Sequence, residues 1–134
     1  MVPVAFEELR IASAADIVAV RQKVRELSIQ LKFTLVDQTK MVTAASELAR
    51  NALEHGKGGS CRMELVRNGL RQGLKVIFED HGPGIADLEL AMKDGYTTGS
   101  GLGLGLSGSK RLVNDFEIHS LPGQGTTISI TRWK

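Results

Sequence analysis

The sequence predicts an α+β fold, a two-layer sandwich in which helices cover one face of a mostly antiparallel mixed sheet. Helical and strand-like hydrophobic patterns alternate along the chain, and two pairs of strands are joined by short glycine-containing loops that are typical of antiparallel hairpins. With 134 residues, 42% of them hydrophobic, the chain has the size of one domain. We therefore expect a single domain over residues 1–134.

The first half of the chain alternates a strand with two helices. The segment VAFEELRI, residues 4–11, is interpreted as the first strand. Ser13, followed three residues later by Asp16, resembles a capping box at the start of a helix. The buried face of that helix is predicted from spacings of three and four residues at Ile17, Val20, Val24, Leu27 and Leu31. A second helix is predicted over 35–55, because Gly56 is a typical helix stop.

The second half of the chain supplies the remaining strands and two shorter helices. SCRMELVRN, residues 60–68, alternates as a half-buried strand should, and GLKVIFED, residues 73–80, is continuous enough for a central strand. NGLRQG between them is a hairpin loop. A short helix is predicted at 87–93, and a longer one follows the glycines to about Asp115. FEIHSL and TTISITRW, joined by PGQG, form the last hairpin.

Composition and charge exclude several classes of partner. Seventeen Lys and Arg against fifteen Asp and Glu give a net charge of +2, without a basic stripe interleaved with aromatic residues, so nucleic acid is not an expected partner. Cys61 is the single cysteine and cannot form an internal disulfide. The first residues lack the apolar core of a signal peptide, and the apolar runs are too short to span a membrane. A cytoplasmic protein without a membrane partner is therefore expected.

The stretch SELARNALEH places two polar side chains, Glu47 and Asn51, on one face of the second helix. Glu47 and Asn51 are four residues apart, so they lie one above the other in a helix. Lys40, Thr43, Arg50 and Glu54 fall on the same side. For this stretch alone, a solvated polar helix face is the simpler interpretation.

The stretch EDHGPGI combines an acid with two glycines. Asp80 stands where an apolar strand ends, and there it either caps the following turn or accepts a hydrogen bond from a ligand. Gly82 and Gly84 allow the backbone to turn sharply and leave space above it. The motif alone leaves both interpretations open.

The stretch GSGLGLGLSG contains five glycines in ten residues. Gly103, Gly105 and Gly108 match a dinucleotide-binding fingerprint, but no strand precedes them and no acid lies near residue 128, so that interpretation is rejected. A glycine-rich loop that becomes a helix near Leu104 presents free backbone N–H groups to an anion. A flexible linker would not explain the strict alternation of these glycines, and phosphate is the expected ligand.

These three stretches, in this order, resemble the nucleotide-binding boxes of the GHKL or Bergerat-fold ATPases, the superfamily of gyrase, histidine kinases and anti-sigma serine kinases. GQGTT, residues 123–127, resembles the last glycine-threonine box. Within the superfamily the sequence is most similar to the RsbT-type switch kinases of bacterial stressosomes, through VDQTKMVTAASELARN, GLKVIFEDHGPGI and MKDGYTTGSGLGLGLSGSKRLVNDF. The resemblance extends over nearly the whole chain.

The resemblance implies how each box would hold ATP. Asp80 would accept a hydrogen bond from the adenine amino group, Gly82 and Gly84 would shape the base pocket, and Thr126 would support the adenine side.

On the phosphate side, the resemblance implies that Asn51 holds Mg²⁺ together with the phosphates, and that Glu47 is the base that prepares the attacking hydroxyl. The glycine-rich segment would close over the phosphates as a lid made of Gly99, Gly101, Leu102, Gly103, Leu104 and Gly105. Phosphoryl transfer depends mainly on positioning and charge neutralisation, with which these roles are compatible.

By resemblance, the function would be ATP-dependent phosphorylation of STAS-domain proteins on Ser or Thr, followed by activation of a downstream phosphatase. Two alternatives remain open. A histidine-kinase catalytic domain is disfavoured by Glu47 at the base position and by the absence of a dimerising phospho-acceptor helix pair. A non-catalytic anti-sigma or binding module would use ATP only to set its conformation.

Overall fold

Helices cover one face of a five-stranded sheet in the computed structural model, which describes residues 2–93 and 105–134. The strand order is β1-β2-β3-β5-β4, and all four pairings are antiparallel, so the described sheet is not mixed. The predicted α+β sandwich is otherwise confirmed. The elements are β1 (Val2–Ile11), α1 (Ala14–Gln30), α2 (Leu35–Glu54), β2 (Gly59–Asn68), β3 (Arg71–Asp80), α3 (Leu88–Ala91), α4 (Gly105–Arg111), β4 (Asp115–Ser120) and β5 (Thr126–Trp133).

Helix α1 begins and packs as its sequence pattern predicts. The Asp16 carboxylate accepts hydrogen bonds from the backbone N–H groups of Ala12 at 2.8 Å and Ser13 at 3.1 Å. These bonds satisfy donors that the start of the helix leaves without intrahelical partners. All five hydrophobic residues predicted for the inner face are buried, namely Ile17, Val20, Val24, Leu27 and Leu31.

Helix α2 is the central helix of the fold, because it contacts α1, α4 and β3. Its buried residues are Met41, Val42, Ala44, Ala45, Ser46, Leu48, Ala49 and Ala52. Five of these eight are alanine or serine, and such small side chains allow a helix to approach its neighbours closely. Between Met41 and Asn51, the residues that remain partly accessible form a polar strip of Thr43, Glu47, Arg50 and Asn51.

The β2–β3 hairpin is tighter than the sequence predicts. The two strands pair as far as Asn68 and Arg71, which leaves a turn of two residues, Gly69 and Leu70. Gly69 has a φ of +64°, and glycine accepts this left-handed conformation without strain. The predicted loop also included Gly73, but this glycine is buried within β3, where an added Cβ would lie 2.9 Å from the Arg132 carbonyl oxygen.

Helix α4 ends at Arg111, so the prediction that it continues to Asp115 is wrong. The N–H of Leu112 donates to Ser109 at 3.1 Å, which tightens the last turn. The N–H of Asn114 then donates to the Thr131 carbonyl at 3.0 Å, and Asp115 pairs with Thr131 in the sheet. The backbone of Asn114 and Asp115 therefore pairs with β5 and does not continue the helix.

Arg132, in β5, connects the end of the chain to two helices, α4 and α2. Its Nη1 donates to the Leu112 carbonyl at 2.9 Å, just after α4, and its Nη2 donates to Asp37 Oδ1 at 2.6 Å, in the first turn of α2. The hydrogen bond and charge of Arg132 hold the pKa of the Asp37 carboxyl below its ordinary value. This ion pair is largely shielded, with the Arg132 side chain only 15% exposed.

We expect Asp37→Asn to destabilise the fold by roughly 1.5 to 3 kcal/mol at pH 7, since a hydrogen bond to a charged group is lost. Because the pKa of Asp37 is lowered on folding, its contribution is complete above the ordinary carboxyl pKa and is lost as pH falls through the lowered pKa. Urea unfolding at pH 7 and pH 3 measures this difference, with the exposed Glu117→Gln as the control. A destabilisation equally large at both pH values would contradict the ionic role of Asp37.

Candidate functional site

A cavity of about 410 Å³ opens between α2, the end of β3, the loop that follows β3, and the start of α4. Its size is typical of small-molecule sites. The apolar part of its wall comes from all of these elements and from β5, with Leu48, Ala52, Phe78, Ile85, Leu106 and Ile128. Polar side chains border this apolar wall on α2, at the end of β3 and at the start of β5.

Asp80 is the last residue of β3 and lines the cavity. Its Oδ1 accepts a hydrogen bond from the backbone N–H of Gly82 at 3.0 Å, which fixes the plane of the carboxyl group. The carboxyl also lies against Gly56, where an added Cβ would stand only 2.6 Å from Oδ2. Asp80 is therefore a firmly held acceptor at the wall of the cavity.

The two glycines of the EDHGPGI stretch have different positions. Gly84 lines the cavity at a φ of +75°, with its backbone packed against the Leu121 carbonyl. Gly82 is not among the lining residues and packs behind Asp80, where an added Cβ would be 2.6 Å from the Gly56 Cα. Gly82 thus acts on the cavity through Asp80, to which its N–H donates.

Thr126, the first residue of β5, lines the cavity beside Asp80 and is held by Ser120. The Ser120 hydroxyl lies 2.8 Å from Thr126 Oγ1, accepts from the Ile85 N–H at 2.8 Å, and is 3.0 Å from the Gly125 carbonyl. A serine has one hydroxyl proton, and a carbonyl can only accept. Ser120 therefore donates to Gly125 and accepts from Thr126, which leaves the lone pairs of Thr126 as acceptors.

The polar strip of α2 borders the cavity on the opposite side. Asn51 and Arg50 line it, whereas Glu47, one turn earlier, does not. The Glu47 carboxylate forms an ion pair with Arg50, with 3.6 Å between Oε1 and Nη1. The Glu47 side chain is 15% exposed and that of Arg50 is 36% exposed. The structure therefore brings Asn51 and Asp80 to one cavity and places Glu47 next to it.

The predicted lid falls mostly outside the described residues, which exclude Gly99, Gly101, Leu102, Gly103 and Leu104. Gly105 is described, and it lines the cavity as the first residue of α4 at a φ of +69°. A residue with a side chain would be strained in this conformation.

Three residues of the site were not predicted as functional. Gly56 was interpreted only as a helix stop, but it is also the surface against which the Asp80 carboxyl packs. Ser120 lay in a strand without a motif, and Arg50 was assigned to a solvated face. The roles of Gly56 and Ser120 depend on contacts between distant parts of the chain, and no local pattern signals such contacts. The spacing of three residues between Glu47 and Arg50 could have indicated their ion pair. The second glycine of the GQGTT box, Gly125, contacts Ser120 through its carbonyl oxygen, which accepts from the Ser120 hydroxyl at 3.0 Å.

Magnesium is the metal that the residues could hold. Within residues 2–93 and 105–134, no three His, Cys, Asp or Glu side chains group as a metal cluster. Mg²⁺ prefers hard oxygen ligands and often takes one or two from the protein, with phosphate oxygens and waters completing its octahedron. The Asn51 amide oxygen at the cavity wall fits that donor set.

The three histidines are exposed, and Cys61 is buried beneath the helices. Burial raises the pKa of the Cys61 thiol to about 12, so the thiol is protonated and unreactive at neutral pH. No helix in the described part of the chain is long and apolar enough to cross a membrane.

The α+β sandwich and the cavity at the end of β3 agree with the fold of a known ATPase family. Residues 36–134 match the family described as histidine kinase-, DNA gyrase B- and HSP90-like ATPases, and the chain belongs to this family. The chain is 45% identical over 125 residues to the serine/threonine-protein kinase RsbT of Bacillus subtilis strain 168, covering 93% of this chain and 94% of the kinase. This near end-to-end match assigns the chain to the serine/threonine kinases within the family.

Two further comparisons agree with the family and the fold. The anti-sigma F factor of Bacillus subtilis strain 168 is 32% identical, and the match covers 84% of this chain and 80% of that factor. A solved Mycobacterium tuberculosis structure of RsbU and RsbW domains superposes with a TM-score of 0.65 at 24% identity. That match covers 98% of this chain and 34% of the solved chain, and it shows that the fold is shared.

We expect Asp80→Asn to weaken ATP binding by roughly ten- to a hundredfold, the value of a hydrogen bond to a charged group. The Gly82 N–H would retain the amide oxygen, which turns the amide NH₂ toward the cavity and opposes a donor there. Isothermal titration calorimetry measures the change, with Glu79→Gln, on the neighbouring exposed carboxylate, as the control. Unchanged affinity in a folded Asp80→Asn protein would remove Asp80 from the site.

Proposed function

We propose that this chain is a single ATP-dependent kinase domain and partner-switching regulator. It transfers the γ-phosphate of ATP to a Ser or Thr of a STAS-domain protein and, once released from that protein, activates a downstream phosphatase. The observation that carries the proposal is the placement of Asp80 and Asn51 at one cavity, with Glu47 one helical turn from Asn51. The 45% identity to a serine/threonine-protein kinase supports it.

Adenine recognition would use the end of β3. The base would lie against Phe78, Ile85 and Ile128, which give the apolar wall. Its amino group would donate to the fixed Asp80 carboxyl, and Thr126, with its lone pairs free, would accept on the same side. A base with a carbonyl in place of the amino group would present an acceptor to Asp80 and would bind less well.

The phosphate side would use α2 and the glycine-rich segment. Asn51 would supply the protein oxygen to Mg²⁺, which neutralises phosphate charge when it is bound. Gly105 and the lid residues Gly99, Gly101, Leu102, Gly103 and Leu104 would offer backbone N–H groups to the phosphates. Residues four apart on a helix have Cβ atoms about 5 to 6 Å apart. Glu47 would therefore reach the acceptor hydroxyl close to the phosphates and take its proton.

The partner assignment rests on the relatives. One is named a serine/threonine-protein kinase and another an anti-sigma F factor, a name for a protein that controls another protein. Regulators of both kinds act through protein partners, and a STAS-domain substrate with a phosphatase downstream is the form of partner switching that we propose. We place the protein in the cytoplasm.

Glu47→Gln separates nucleotide binding from phosphate transfer. We expect this variant to retain Mg-ATP and to slow transfer by about 10² to 10⁴, the usual effect of losing a general base. Mass spectrometry of a STAS-domain protein from the same cell, incubated with kinase and Mg-ATP, measures the transfer. Glu54→Gln, on the same helix and at the cavity, is the matched control and should transfer at nearly the parent rate. Transfer at the parent rate by Glu47→Gln would eliminate Glu47 as the base.

Asn51→Ala should weaken the Mg²⁺-dependent part of ATP binding, because the amide oxygen is lost. Calorimetry with and without EDTA isolates that part.

The same mass spectrometry distinguishes the alternative functions. Phosphohistidine on this chain would favour a histidine-kinase domain. Tight ATP binding without phosphate on any partner would favour an anti-sigma or binding module.

A further inference from the structure

The charges at the cavity are unbalanced for a polyphosphate ligand. The charged carboxylates of its described lining are Glu54, Asp80 and Asp87, and Arg50 is the one lysine or arginine among the described lining residues. The sequence of residues 94–104, DGYTTGSGLGL, adds no lysine or arginine. Among the described lining residues, a nucleotide with several phosphate charges would therefore meet one lysine or arginine, Arg50.

Arg50 also contacts the residue assigned as the base. Its Nη1 lies 3.6 Å from Glu47 Oε1, which is within ion-pair distance but too long for a hydrogen bond. Arg50 lines the cavity and Glu47 does not, so their ion pair connects the cavity wall to the base. The structure thus pairs a guanidinium that can bind phosphate with a carboxylate that can accept a proton.

We propose that Arg50 exchanges between Glu47 and the nucleotide phosphates, so that arrival of the phosphates draws the guanidinium away and frees the Glu47 carboxylate. Arg50 is thereby a phosphate ligand and also a positioning residue for Glu47. This inference rests on the proposed function, because it requires a nucleoside polyphosphate in the cavity.

The relative strengths of the two interactions favour the exchange. An ion pair that is loose and partly exposed is weak, because water screens it and long side chains lose freedom in forming it. A guanidinium can instead make two parallel, charge-assisted hydrogen bonds to a phosphate. Arg50 is the more exposed partner of its pair, at 36% against 15% for Glu47, so it has room to move into the cavity. Glu47 would then act as a base only in the presence of phosphates.

The test measures binding and not activity. We expect Arg50→Gln to weaken ATP binding by roughly ten- to a hundredfold in calorimetry, the effect of a lost charged hydrogen bond, and to leave adenosine binding unchanged. Arg50→Lys should fall between the parent and Arg50→Gln, because it retains the charge but not the planar fork. Lys40→Gln, on α2 but away from the cavity, controls for net charge. The loss should persist in EDTA, which separates Arg50 from a disturbed Asn51.

A double-mutant cycle tests the exchange itself. Glu47→Gln should tighten ATP binding severalfold where Arg50 is present, because the guanidinium no longer has a competing partner. In the Arg50→Gln background the same change should have a clearly smaller effect. Glu54→Gln, which removes another carboxylate from the cavity wall, should act equally in both backgrounds. Non-additivity that is confined to Glu47 supports the exchange.

Other outcomes overturn the proposal at identifiable steps. Parent-like ATP affinity in folded Arg50→Gln eliminates Arg50 as a phosphate ligand, while the adenine site and the kinase assignment stand. An equal effect of Glu47→Gln in both backgrounds eliminates the exchange. Failure of the parent chain to bind either ATP or adenosine eliminates the proposed function, and this inference with it. Thermal unfolding of each variant confirms that binding is compared between folded proteins.

Discussion

The crowding of backbone around Asp80 is the constraint on which the rest of the site depends. Glycines from three separate parts of the chain lie against this one residue. Gly56, after α2, meets its carboxyl, Gly59, at the start of β2, meets its backbone, and Gly125, before β5, meets its carbonyl oxygen. An added Cβ at any of the three would collide with Asp80 or its neighbour Glu79. These glycines allow a helix end, two strands and a loop to converge on a single carboxylate.

This convergence explains how a small domain builds a rigid acceptor next to a wide cavity. Asp80 is held by the Gly82 N–H, and Thr126 is held by Ser120, so both polar groups are oriented before any ligand contacts them. Hydrogen-bond partners that are already oriented lose less entropy on binding. The opposite wall is α2, whose burial against α1, α4 and β3 fixes the position of its polar strip. The cavity thus lies between two preorganised walls. Among its described lining residues, the one lysine or arginine is Arg50, which already forms an ion pair with Glu47.

The parts of the structure that the sequence predicted are those encoded locally. The inner face of α1 follows from hydrophobic spacing, and the bounds of α2 follow from its pattern and from Gly56. The placement of Asn51 and Asp80 at one cavity was expected only from the resemblance to a family, because the number of residues between them does not determine the distance between their side chains. The end of α4 was predicted too far along because Asn114 and Asp115 join the sheet through Thr131, a partner on another strand. For the same reason, Gly56 and Ser120 were not predicted to belong to the site, whereas the spacing of three residues between Glu47 and Arg50 could have indicated their ion pair.

The proposed site requires the purine base to lie against Asp80 at the end of β3. The most direct measurement is a ¹⁵N–¹H NMR titration with adenosine, which carries the base without the phosphates. We expect the amide resonances of Gly56, Gly82, Ile85 and Gly125 to shift with saturation, while those of the β2–β3 turn at Gly69 and Leu70 do not. Saturable shifts that leave Gly82 and Gly125 unmoved and appear on other strands would contradict it.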